Sequence, residues 1–195
     1  MNTQANEEEK TPAGTDYFRS YYKDYALSEV AGPDGIVRNE FVYAGKLYGL
    51  PVSHGAHIRL KLVHSALFCV TLLCIVLSNL SPCAFNLSKI AAAPMFALIF
   101  LMVLRFFALL FYWLSPLEMR EWDYKRGSKR LRGVSLLCAL ACLALFLVYL
   151  ALMAATGEFT AAAAALILLQ IPGGLSAFAS YVIERRLNYS VRPSH

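Results

Sequence analysis

The chain has 195 residues, 58% of them apolar and only 16% charged, with a mean hydropathy of +0.51 and a net charge of +5. Soluble domains carry about 25% charged residues, so this composition argues against an ordinary water-soluble domain. Residues 1–58 sum to −3 and residues 59–195 to +8, an asymmetry that suggests contact of the second part with anionic lipid.

Residues 1–14 (MNTQANEEEKTPAG) have nothing to bury and read as a disordered tail. No apolar run of signal-peptide type occurs in the first fifty residues, so the first membrane span is expected to act as its own targeting signal. Residues 15–58 read as a small cap on the cytoplasmic face. There, TDYFRSYYKDYALSEVAG places Phe18, Tyr22, Tyr25 and Glu29 on one helical stripe. Thr15 or Asp16 can cap that helix, and Gly32-Pro33-Asp34-Gly35 ends it. EFVYAGKLYGL predicts two short strands around Ala44-Gly45, although Ala-Gly is not a favoured turn pair. His54, His57 and His64 follow without an acidic or cysteine neighbour, so they are expected to be solvated or among headgroups, with no metal.

A span needs roughly 20 mainly apolar residues to cross about 30 Å of hydrocarbon. Four stretches qualify, at 62–80, 91–114, 134–155 and 160–183. Helices satisfy every backbone group within the segment, so the expected fold is an all-α integral membrane protein, with a four-helix domain over 59–186 and a tail over 187–195. Lysine and arginine near the spans set orientation. Arg59, Lys61, Arg120, Lys125, Arg126, Lys129, Arg130, Arg132, Arg185, Arg186 and Arg192 all fall on one side, with Lys89 alone on the other. Both termini and the 115–133 loop are therefore expected to be cytoplasmic, in the cell membrane. Trp113, Trp122, Tyr112 and Tyr124 suit the interfacial belt on that side. Lys125, Arg126, Lys129, Arg130 and Arg132 form a polybasic stretch suited to anionic inner-leaflet lipid. The same charges occur in nucleic-acid binders, but no accompanying fold or aromatic pattern supports that partner.

Arg105 stands inside FLMVLRFFALLFYW, about ten residues from the helix end and so about 15 Å deep. A charge at that depth costs from about 2.5 to more than 10 kcal/mol, so it normally faces protein or water. The commoner outcome for a lone charge is snorkelling to inner-leaflet phosphates. The sharper one is a buried cation answered by the fourth span, where Gln170, Pro172, Gly173, Gly174 and Ser176 lie at similar height. Pro172 frees an upstream carbonyl, and the glycines allow close backbone approach. No carboxylate lies in a span core to neutralise Arg105, so an anion or substrate site is the functional alternative.

Cys69, Cys74, Cys83, Cys138 and Cys142 include no Cys-x-x-Cys pair, and Cys138 and Cys142 are expected to pack as small core residues. Asn79 and Asn86 each open an Asn-Leu-Ser triplet close to the bilayer. Alanines in the third and fourth spans suit close contact with a second copy or another membrane protein. Neither a catalytic constellation nor a cofactor motif emerges. The expected role is a non-enzymatic accessory, assembly or regulatory subunit, with a transporter or channel subunit as the alternative.

Overall fold

The computed structural model describes residues 24–31 and 37–193. Two compact units divide it. The first contains an antiparallel pair, β1 (Tyr25–Ala31) and β2 (Val37–Tyr43), in register from Tyr25↔Tyr43 to Ala31↔Val37. The Tyr25 and Tyr43 rings meet edge to face at 5.5 Å, a cross-strand aromatic pair of the kind that stabilises sheets. This strand corrects the helix expected through residue 31. Tyr25 and Glu29, four apart, fit a period of two as well as a helical stripe, and the partner strand supplies the pairing that decides the outcome. The remainder of that expected helix, its terminating turn and the 1–14 tail lie outside the described residues.

The second unit is mostly helical. It holds α1 (His54–Leu80), α2 (Lys89–Leu114), α3 (Glu121–Thr156) and α4 (Ala161–Arg186), each long and apolar enough to cross a membrane. Ser53 caps α1 by accepting from the Ala56 N–H at 3.3 Å, and Thr160 caps α4 by accepting from the Ala163 N–H at 3.1 Å. Gly157, at φ +69°, closes α3 in the left-handed conformation that glycine adopts without a Cβ clash. The helices alternate in direction. α1 packs on α4, α4 on α3 and α3 on α2, whereas α2 and α1 touch sparingly. Buried positions recur at sevenfold spacing, as in Leu98, Arg105 and Tyr112 of α2 or Ser135, Cys142 and Tyr149 of α3. That repeat is the mark of interlocked, slightly crossed helices.

Residues His54, Leu114, Arg130 and Arg186 mark one end of the bundle, here the basic end. A small sheet sits there, with β3 (Lys46–Gly49) central between β4 (Glu118–Arg120) and β5 (Ser190–Pro193). The two strands expected around Ala44-Gly45 therefore exist but do not pair with each other. The Ala-Gly pair lacks the backbone preference of a tight hairpin turn, and each strand finds a different partner. The expected 115–133 loop is also corrected. Beyond β4 it is helical, and Lys125–Lys129 form a π turn in α3. A Cβ on Gly127 would lie 3.3 Å from the Tyr112 backbone, so this turn of α3 rests directly on the end of α2.

At the opposite end Asn86 ties the connection between α1 and α2. Its amide donates to the Ser78 and Ser81 carbonyls at 3.0 and 3.1 Å and accepts from the Tyr149 hydroxyl at 3.0 Å. The Asn79 amide is spent on the Ile75 carbonyl at 2.8 Å. Attaching a glycan at Asn86 would break this knot, so the triplet reads as structural.

Candidate functional site: a buried polar seam

Four polar residues of α1 stand seven apart: His57, His64, Thr71 and Ser78, each no more than 2% exposed. Sevenfold spacing puts them in one line along the helix. α4 answers with Gln170, Gly173, Ser176, Ser180 and Glu184 on its facing side. The two helices run antiparallel, so the rungs match in reverse order. Gln170 donates to Ser78 at 3.0 Å. The Thr71 hydroxyl lies 2.7 Å from Ser176 and 3.4 Å from the Gly173 carbonyl. His64 Nδ1 shares a hydrogen bond with Ser180 at 2.8 Å.

Arg105 enters the centre of this seam from α2 and is completely buried. Its Nη1 donates to Thr71 Oγ1 at 2.9 Å, and its guanidinium carbon lies 5.9 Å from the Phe68 ring centre. The guanidinium turns inward, away from the snorkelling position. Nε and Nη2 have no hydrogen-bond partner among the described residues. Such donors in a dry interior are costly, at about 1–3 kcal/mol each.

Of the residues expected around Arg105, Ser176 and Gly173 come to it through Thr71. Gln170 does not, being committed to Ser78. Pro172 produces no break, because α4 runs unbroken from Ala161 to Arg186. The carbonyl that Pro172 leaves without its usual donor is that of Leu168, four residues upstream, whereas the Ser176 hydroxyl donates one turn further on, to the Gly173 carbonyl at 2.9 Å. Gly174 faces α3, where a Cβ would lie 3.2 Å from Cys142 Cβ. Gly173 faces α1, with the corresponding distance to Cys74 Cβ at 3.3 Å. Gly173→Leu is therefore expected to prise α1 from α4 and turn a monodisperse size-exclusion peak into aggregate. An unchanged elution profile would show that the close approach is not required.

The basic end holds a second cluster that the sequence reading missed. Glu184 is 2% exposed, not a solvated residue at a span end. Its Oε1 accepts from Tyr189 at 2.7 Å and from Ser128, whose hydroxyl also lies 2.9 Å from that of Tyr189. Its Oε2 faces His64 Nε2 at 3.4 Å. His57, His64 and Tyr112 are buried together, with Tyr112 edge-on to both imidazoles. This corrects the headgroup placement expected for His57, His64 and Tyr112. The His-to-Tyr contacts give those rings an interior packing site. The detectable signal was the sevenfold polar line in α1, which an apolar lipid-facing helix would not keep.

Lys61 fastens the same end by donating to the Trp113 and Ser115 carbonyls, both at 2.9 Å. These are terminal carbonyls of α2 without intrahelical partners. Among the described residues no cluster of three His, Cys, Asp or Glu side chains is placed to hold a metal ion. Comparison of the chain with protein-family models, curated proteins and solved structures gives no match, so the reading of its role rests on this geometry.

Proposed function

We propose that this is a multi-pass protein of the cytoplasmic membrane with both termini on the cytoplasmic side, acting without catalysis as an accessory, assembly or regulatory subunit. The observation that carries this reading is an apolar groove of about 640 Å³ between α1 and α2, walled by Phe68, Leu72, Val76, Ile99, Val103 and Phe106. A groove of this kind suits the membrane helix of a partner, since packing rather than hydrophobicity drives helix association in lipid. A shorter groove of about 410 Å³ between α3 and α4, at Ala139 and Gly174, suits a second copy of the chain. Lys129 and Arg130 are exposed on α3, with Arg126, Arg132 and Lys125 beside them, the last paired with Glu121. Each can contribute about 1 kcal/mol of attraction to anionic inner-leaflet lipid.

Leu72→Trp and Val103→Trp fill the larger groove without touching the polar seam. Both are expected to lose the proteins retained with wild type after gentle solubilisation, at unchanged melting temperature. Retention of the same proteins by both variants refutes the reading.

A second reading, a transporter or channel subunit, is favoured by the two guanidinium nitrogens of Arg105 that have no partner among the described residues. An anionic solute would complete them. Loss of a solute flux from reconstituted vesicles on Arg105→Ala and Arg105→Lys supports this alternative, and equal flux removes it.

A further inference from the structure

We propose that the small pocket where α2 ends and α3 begins binds the phosphoethanolamine headgroup of a membrane lipid. The pocket measures about 180 Å³ and is lined by Phe111, Leu114, Ser115, Trp122, Asp123 and Arg126. Two features give it chemical character. The Arg126 guanidinium lies 3.8 Å from the Trp122 ring centre and 5.4 Å from that of Phe111. Stacking occupies the faces of the guanidinium and leaves its in-plane N–H groups for a ligand. Phosphate is the natural acceptor for such a fork. Asp123 lines the same pocket one helical turn earlier, and the described contacts place no ion pair between it and Arg126.

One small cavity thus presents a cation and an anion with no ion pair between them among the described residues. A ligand carrying both opposite charges fits it: phosphate to Arg126, ammonium to Asp123. The surroundings supply the lipid part. Leu114 is 73% exposed at the pocket's edge, while Trp113 and Trp122, each 40% exposed, are residues that favour the membrane interface. A choline headgroup fits less well. Its quaternary nitrogen has no N–H to donate to Asp123, and the Trp122 face that would cradle it is already covered by Arg126. A glycerol headgroup brings no cation for Asp123.

This site requires that the helices lie in a bilayer, as proposed above, which alkaline extraction of membranes tests separately. The direct test places the purified protein in nanodiscs of equal phosphatidylcholine, phosphatidylethanolamine and phosphatidylglycerol. Lipid retained after detergent exchange is then counted by native mass spectrometry. Wild type is expected to retain phosphatidylethanolamine several-fold over the other two. Arg126→Gln should lose that retention, and Asp123→Asn should shift it toward phosphatidylglycerol, since only the cation remains. Equal retention of all three lipids by wild type, or an unaltered preference in Asp123→Asn, overturns the assignment. Competition by water-soluble glycerophosphoethanolamine at the concentration of the lipid itself would also overturn it, by making the ligand a soluble phosphate.

Discussion

Replacing Glu184 by alanine will lower the melting temperature of the detergent-solubilised protein more than any other single change at the basic end. The carboxylate receives Ser128 and Tyr189 and faces His64, so its removal strands polar groups from α1, α3 and the segment after α4 in a closed interior. Hydrogen bonds to a charged acceptor contribute about 1.5–3 kcal/mol each, which puts the loss at about 3–5 kcal/mol. For a chain of this size that corresponds to roughly 10 °C. Glu184→Gln keeps one carbonyl acceptor and should cost about half as much. A melting curve for the alanine variant that overlays wild type would mean the cluster carries no stability. The contact is insensitive to mild alkali. Burial first, and then the neighbouring carboxylate, raise the Tyr189 phenol above its ordinary value. It therefore donates throughout the range below that value, and the contact is lost only as pH rises through the elevated one.

Arg105→Met should have the opposite sign. Exchanging a buried charge for an apolar side chain of similar volume is often neutral or stabilising, by about 1–4 kcal/mol. Among the described residues the guanidinium has one side-chain hydroxyl partner, two nitrogens without a hydrogen bond and no ion pair with a carboxylate. The methionine variant is expected to melt at or above the wild-type temperature. Arg105→Ala, which leaves a cavity, should melt below it. If the methionine variant is several degrees less stable, the Thr71 contact outweighs the idle donors, and Arg105 is a structural strut. If it is more stable, the arginine is kept at a cost to the fold, as expected of a residue retained for use.

Much of the bundle was legible in the chain because each helix is a long apolar run and Arg105 interrupts one of them. Ends were read less well. α1 starts at His54 and α3 at Glu121, ahead of their apolar stretches, because the first turns carry His57, Asp123 and Lys125, which hydropathy assigns to water. The burial of Glu184 is not legible in its own helix, because the partners that enclose it, Ser128 and Tyr189, lie in other segments. Thr71 and Ser180 are common small polar residues in membrane helices, and only their alignment across two antiparallel helices gives them meaning. Gly173 and Ser176 reach Arg105 only through Thr71, and Gln170 turns to Ser78, contacts that residue spacing alone does not specify. Position along a helix is readable from spacing, but the direction in which a side chain turns is not.

The matching of α1 with α4 has a consequence for biosynthesis. α1 leaves the ribosome before α4 and carries His57, His64, Thr71 and Ser78, yet most of what satisfies them arrives with α4. With α1 in a bilayer, as proposed above, its hydroxyls and imidazoles need shelter in the insertion machinery or against a chaperone until translation reaches Gln170 and beyond. A polypeptide stalled before α4 would display them to lipid, a condition that membrane quality control can detect and clear.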